Sequence, residues 1–369
     1  VNTSAAQTLG PLFFQPVFKE TIWGGTRLQT LLAKPLPPGA AVGESWEITA
    51  YGNEQSIIAN GPLATMTLEM AIERMAQPLM GSSAQGGEFP LLVKFIDAND
   101  KLSIQVHPND IQALSNGWDK RGKTECWYIA AAKPGARIIV GLKQGVGLED
   151  VKRGVQDNTL EQLLNFIDIK SGDVLFIPAG TVHAILDGTL VYEIQESSNC
   201  TLRLYDWGRV DSLGNPRQLH VEQSLAVLQT DYHQSHKIDP LPLSATPGVS
   251  HALRVVCRYF AMEEFALQPQ ATLSLPRRGG FSIASVMRGT VVVEADGQTV
   301  ELKTGTTTLI PAALGACVLT TPDEALLMHS WEPDISADII APLRAQGIAD
   351  SQIAALGGFA ANNDILPLL

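Results

Sequence analysis

Three short stretches of the chain carry side chains that could hold a metal ion. In KLSIQVHPNDIQAL, Gln105 and His107 stand two apart on an extended run. The period of a strand sends both to one face and Val106 to the other, into packing. In GKTECWYIAAAKPG, Lys123 and Glu125 share a face of an apolar, aromatic run by the same period. A carboxylate inside such a run needs a partner, because its desolvation is otherwise uncompensated. In IKSGDVLFIPAGTVHAIL, His183 follows a glycine-proline turn at the head of another strand. Two imidazoles, an amide oxygen and a carboxylate form a donor set suited to zinc or a similar divalent ion, with room for water or substrate. Each piece also has a plainer reading by itself. His183 then fills a core, Gln105 and His107 end a surface strand, and Lys123 pairs internally with Glu125.

The elements that must position these residues read as short strands punctuated by glycine and proline: ARIIVGL, DVLFIPAG, LVYEIQE, FSIASVMRGTVVVEADG and TTTLIPAA. Such spacing predicts a mainly β protein, a barrel or a sandwich. Asp296-Gly297 between two alternating runs predicts a tight hairpin. Helices are expected from Thr65 in TMTLEMAIERMA, across DVKRGVQDNTLEQLLNF and in HVEQSLAVLQTD, as peripheral additions. The phrase at 169–186 recurs at 302–319, where LKTGTTTLIPAALGACVL matches Lys170 with Lys303, Gly172 with Gly305, Ile177 with Ile310 and Pro178 with Pro311. His183 faces Ala316 in that match. The stretch 233–251 is rich in proline and serine and reads as a linker. The expected organisation is a metal-binding domain with helical additions at 1–235, a linker at 236–250, a metal-free domain at 251–332 and a helical appendage at 333–369.

The 369 residues suffice for two or three domains, and 45% hydrophobic with 17% charged residues is a globular composition. A net charge of −12 argues against nucleic acid or an anionic membrane as partner. It leaves room for a small anion met by local cations. Cys126, Cys200, Cys257 and Cys317 lie far apart without a CxxC pair, which fits reduced thiols better than a disulfide scaffold. The N-terminal stretch lacks the pattern of a signal peptide and no apolar run has membrane-spanning length. A cytoplasmic protein is therefore expected. No glycine-rich nucleotide loop is present.

The spacing of Gly172, Pro178, Gly180 and His183 resembles the second motif of the cupin superfamily. That resemblance implies two cupin-like jelly-roll β-barrels, His183 as a metal ligand in the first and a degenerate, metal-free second copy. KLSIQVHP, GKTECWYI and IPAGTVHAI, in that order behind IWGG and GESWEI, resemble type I phosphomannose isomerases of the shorter bacterial branch over roughly residues 13–331. The resemblance implies one Zn2+ per chain, bound by Gln105, His107, Glu125 and His183. It also implies a small phosphorylated sugar as substrate, with mannose 6-phosphate and fructose 6-phosphate interconverted through an enediolate.

In YEIQESSNCTLRLYDWGR, Glu193 and Arg203 match the family's glutamate ten residues before an arginine. Glu193 is then the acid/base candidate. Lys123 and Arg203 would stabilise oxyanions or assist proton transfer between oxygens, and Lys94 would face the substrate rather than snorkel to the surface. Trp23 and Trp46 are packing or pocket walls. The chain departs from the family at Asn199, where an aspartate is usual, and no catalytic role is assigned there. Two rival readings remain. One is a non-catalytic sugar-binding cupin, for which Asn199 is the best support. The other is an iron or manganese oxygenase, which would favour HxH over the Gln105-His107 pair.

Overall fold

Alternating side chains build two pairs of facing antiparallel sheets. The computed structural model describes residues 9–210, 213–231, 237–243, 246–358 and 363–369. The first pair comprises β1 (Val17–Gly25), β2 (Val42–Ile48), β3 (Leu91–Ala98), β4 (Ile104–Val106), β5 (Glu125–Ala132), β6 (Arg137–Leu142), β7 (Leu164–Asp168), β8 (Val174–Ile177), β9 (His183–Ile185), β10 (Thr189–Glu196) and β11 (Leu202–Tyr205). Six strands form one sheet in the order β8-β5-β10-β3-β2-β1, and five form its partner in the order β7-β6-β9-β4-β11. Between them lies an apolar core of Ile96, Trp127, Ile129, Val191, Ile138, Val140 and Ile185, drawn from both sheets.

The second pair comprises β12 (Val249–Val256), β13 (Ala261–Leu267), β14 (Thr272–Leu275), β15 (Ser282–Arg288), β16 (Thr290–Ala295), β17 (Gln298–Lys303), β18 (Thr307–Ile310), β19 (Cys317–Thr320) and β20 (Ala325–Trp331). Its larger sheet also takes in the N-terminal strand Leu12–Gln15, whose Leu12 pairs with Leu309 of β18. The smaller sheet runs β14-β19-β16-β17. The outer faces of the two larger sheets pack back to back, burying Phe95, Tyr192 and Ile194 of one against Val255, Met262 and Met328 of the other. The expected mainly β fold with peripheral helices is therefore present. Among the described residues the ladders stop at sheet edges, so each unit is a pair of facing sheets and not a closed barrel.

The repeated phrase performs the same step twice. Gly172 and Gly305 both adopt left-handed backbone, at φ 91° and 83°, which glycine reaches without a steric cost. The strand that follows each lies in the larger sheet (β8, β18), and the chain then crosses to the smaller sheet (β9, β19). Asp296 and Gly297, both with positive φ, close the two-residue hairpin between β16 and β17.

The helix expected near Thr65 begins at Leu68, where the Thr67 hydroxyl accepts the Met70 N–H, and HVEQSLAVLQTD contains the helix Val221–Val227. The helix expected across 150–166 is shorter than its pattern. It spans Leu148–Gln156, stops before left-handed Asn158, and its last apolar residues belong instead to a 3-10 turn and to β7. Pairing of Ile167 and Phe166 with β6 overrides the local helical period. Of the 236–250 stretch, 236, 244 and 245 lie outside the described residues, as do 1–8. Its Leu241–Pro242 pairs with β12. Beyond β20, short helices at Ala341–Ala345 and Asp350–Ala355 pack on Leu253, Val256 and Trp331.

Candidate metal centre and catalytic cavity

Strand register brings the three stretches together. His183 pairs directly with Gln105, Gln105 pairs on its other side with Arg203, and Glu125 pairs with Gln195 across β10. Val106 faces away into a core with Ile104 and Leu204, as its position between Gln105 and His107 requires. Candidate ligand atoms of His107, Glu125 and His183 all lie within 4.8 Å of one another, and all three residues are buried. His107 Nε2 is 3.5 Å from Glu125 Oε2, and His183 Nε2 is 3.4 Å from Glu125 Oε1.

Hydrogen bonds on the far side of each ring set its tautomer. His107 Nδ1 meets the Cys200 carbonyl at 2.8 Å and His183 Nδ1 meets the Thr181 carbonyl at 2.9 Å. A carbonyl only accepts, so each Nδ1 carries the proton and each Nε2 offers a lone pair inward. Burial, reinforced by the Lys123 charge, lowers both histidines, His107 well below the ordinary imidazole value and His183 to about 3. Both rings are therefore neutral, as ligands must be. Glu125 Oε1 is buried without a hydrogen-bond donor. The donors already attract a cation, since Lys123 Nζ sits 2.6 Å from Glu125 Oε2 and 3.0 Å from His107 Nε2. Two imidazole nitrogens and a carboxylate with an unsatisfied oxygen fit a divalent ion of zinc type. Gln105 stands beside them differently oriented. Its Nε2 donates to His183 Nε2 at 3.2 Å while its Oε1 accepts from Ser103, so a half-turn of the amide is needed to aim the oxygen inward.

A cavity of about 90 Å3 opens next to this cluster and is lined by Lys94, Lys123, Glu193 and Arg203 among others. All four were singled out from the sequence. Lys94 is buried, not snorkelling, and its Nζ lies 3.0 Å from Glu193 Oε1 and 3.4 Å from Glu44 Oε2. Burial opposes the Lys94 charge, yet Glu193 and Glu44 outweigh it and raise the ammonium's pKa. Glu193 is raised above the usual carboxylate range by burial and then by Glu125. Its other oxygen, Oε2, accepts the Trp127 indole N–H at 2.7 Å. Acidic and basic groups thus alternate from Glu44 through Lys94, Glu193 and Lys123 to Glu125. Such an array can move a proton at a substrate carbon and hold charge on neighbouring oxygens.

Asn199, Trp23 and Arg203 also reach this cavity wall, whereas Trp46 holds Glu44 through its indole N–H at 2.7 Å. Sequence reasoning missed Glu44, Ser103, Trp127 and Arg217, all of which line the cavity. Glu44 and Trp127 had a signal available, because the two-residue period places Glu44 with Trp46 and Trp127 with Glu125. Arg217 had none, since it lies in an irregular polar loop. In the second unit the position matching His183 is Ala316, which offers no ligand.

Residues 12–125 match the model of the phosphomannose isomerase type I catalytic domain, and residues 252–328 match the mannose-6-phosphate isomerase cupin domain. The chain is 35% identical to the mannose-6-phosphate isomerase ManA of Bacillus subtilis over 326 residues, 87% of this chain and 99% of that protein. It is 34% identical to the probable mannose-6-phosphate isomerase GmuF of the same organism over 322 residues, 86% of this chain and 99% of that one. The crystal structure of a mannose 6-phosphate isomerase from Bacillus subtilis superposes with a TM-score of 0.80 at 33% identity, covering 88% of this chain and all of that one. The chain belongs to the type I phosphomannose isomerase family.

Proposed function

We propose that this protein is a metal-dependent aldose-ketose isomerase that interconverts mannose 6-phosphate and fructose 6-phosphate through an enediolate. The buried His107, Glu125 and His183 cluster, beside a cavity that holds Glu193 between two lysines, is the observation that carries this reading. The metal would be one Zn2+ per chain, held by His107, Glu125 and His183 with Gln105 as the fourth ligand after its amide turns. It would polarise the substrate carbonyl and stabilise negative charge on the C1 and C2 oxygens.

The remaining chemistry falls to the side chains. Glu193, kept from solvent and held by Trp127, carries the proton between C1 and C2. Lys123 and Arg203 stabilise oxyanions and assist proton transfer between oxygens, and Lys94 keeps Glu193 oriented while facing the sugar. Arg217 at the cavity wall suits the substrate phosphate. In this reading residues 1–235 form the catalytic unit and 236–250 join it to a metal-free unit at 251–332. Both units are variants of the cupin jelly roll, and 333–369 is an appendage. Four free cysteines and a net charge of −12 support a cytoplasmic enzyme acting on a small sugar phosphate, without nucleic acid or membrane as partner.

A coupled assay tests the reading: fructose 6-phosphate formed from mannose 6-phosphate, before and after chelation and after zinc is restored. Activity should vanish with chelator and return with zinc. A zinc-loaded protein without turnover would reduce the site to sugar binding, and iron with oxygen consumption would point to an oxygenase.

A further inference from the structure

The loop between β10 and β11 carries the carbonyl that orients His107, and its anchor lies outside the catalytic cavity. Asp119, half-buried in the loop before β5, accepts three hydrogen bonds on a single oxygen. Ser198 Oγ donates to its Oδ2 at 2.8 Å, Tyr51 Oη at 3.0 Å and the Asn199 N–H at 3.1 Å. Its other oxygen accepts the Lys120 N–H at 2.7 Å, so the carboxylate is held at both ends. Ser198 is fully buried, and the oxygen that donates to Asp119 also accepts the Cys200 N–H at 3.2 Å. The Cys200 carbonyl in turn accepts the His107 Nδ1–H at 2.8 Å.

These bonds link the two ends in order: Asp119 holds the Ser198 hydroxyl, Ser198 Oγ holds the Cys200 N–H, and the Cys200 carbonyl, one peptide unit further along, holds the His107 Nδ1–H. The Cys200 N–H and carbonyl flank one Cα, so holding the N–H constrains where the carbonyl points. We propose that Asp119 is a positioning residue which, through Ser198 and the backbone on either side of the Cys200 Cα, holds His107 as the Nδ1–H tautomer with its Nε2 lone pair aimed at the metal centre. The proposal rests on the reading of His107 as a metal ligand. A neutral imidazole released from the Cys200 carbonyl is held as the Nδ1–H tautomer only by the Lys123 ammonium at Nε2, which Glu125 also engages, so part of the population places its proton on Nε2, where it blocks coordination. The Gln195 side chain also holds this loop, donating to the carbonyls of Glu196 and Ser198 at 2.8 and 2.7 Å. Loss of Asp119 therefore loosens the loop's aim without releasing it.

The test reads the tautomer directly in metal-free protein labelled with 15N-histidine, by long-range proton–nitrogen correlation, with the His107 signal assigned by its loss in His107→Ala. The wild type should show protonated Nδ1. Asp119→Leu should show a mixture of the two tautomers, and its zinc dissociation constant, measured by chelator competition, should rise about tenfold. Asp119→Asn, which keeps an acceptor oxygen, should restore both readings. Should Asp119→Leu fail to fold, Ser198→Ala interrupts the same chain at one atom and is read in the same way. A wild-type tautomer and unchanged zinc affinity in Asp119→Leu, or in Ser198→Ala if that is the variant that folds, would overturn the proposal. A tautomer shift in a protein whose His107→Ala variant binds zinc as tightly as wild type sustains the positioning role and sinks the metal-centre reading instead.

Discussion

Glu193 faces the cavity between two opposing influences: burial and Glu125 push its proton affinity up, while Lys94 and Lys123 hold it down. A carboxyl balanced in this way can accept a carbon-bound proton and return it. Glu193→Gln keeps the shape and the acceptor for the Trp127 N–H. It should abolish solvent-proton exchange at C2 and lower kcat by about 10²–10⁴-fold, with zinc still bound at full stoichiometry. Exchange persisting near the wild-type rate would remove Glu193 as the base. His183→Ala acts on the other half of the site. It deletes a proposed ligand and should yield protein with little or no zinc by elemental analysis, so full occupancy would refute the ligand assignment. The two outcomes separate base from ligand because the proposed roles act on the substrate and on the metal through different side chains. At this scale the sequence was informative wherever a strand carried the residue. Lys123 and Glu125, or Gln105 and His107, share a face by period alone. Asp119 and Arg217 sit in irregular loops, where no period says which way a side chain turns.

Strands and loops meet under constraint where β10 ends against the start of the helix Asp110–Ser115. Glu196 is buried there, accepts the Thr124 N–H at 2.7 Å, and lies close to Asp110, which also accepts the Tyr259 hydroxyl at 2.9 Å. Burial first, and then the charge of Asp110, raise Glu196 well above the usual carboxylate range. Its folded pKa exceeds its unfolded one, so the native state binds the extra proton. The resulting stability is present below the unfolded pKa and is lost as pH rises through the folded pKa. Glu196→Gln keeps the acceptor oxygen and removes this dependence. Thermal midpoints of the metal-free proteins should then diverge in favour of the variant over the pH range above the ordinary carboxylate value. A constant difference across that range would show that Glu196 is not protonated in the fold. Elements also mark where sequence reading ran short. The apolar spacing of 160–166 suits a helix, yet Phe166 and Ile167 pair with β6. A short apolar run cannot be assigned by periodicity when a neighbouring strand offers a ladder.

The whole molecule is joined by its largest apolar cluster, which covers the outer faces of both larger sheets. Met262, fully buried in that cluster, projects from the second unit toward the first. Met262→Ala should cost about 2–5 kcal/mol. Because the core is shared, the loss should lower a single calorimetric transition and leave no separately melting half. Two resolved transitions would show that the units unfold independently. The N-terminal strand Leu12–Gln15 ties the units further, since it pairs with β18 of the second unit although it precedes the first in sequence.

The sequence by itself determined the mainly β class, the doubled glycine-proline phrase, the Asp296-Gly297 hairpin and the residue types of the metal cluster. These rest on local rules, namely side-chain alternation, positive φ at glycine and the scarcity of carboxylates in apolar strands. Only the tertiary structure decided that His107, Glu125 and His183 meet within 4.8 Å, that Lys94 is buried beside Glu193, and that the carbonyl of the distant Cys200 sets the His107 tautomer. It also decided that facing open sheets take the place of closed barrels. Those facts depend on which strands pair and in what register, and pairing is a contest among non-local partners. Burial then gives each charged group in the cavity its strength, because a charge removed from water interacts strongly with whatever the fold has placed beside it.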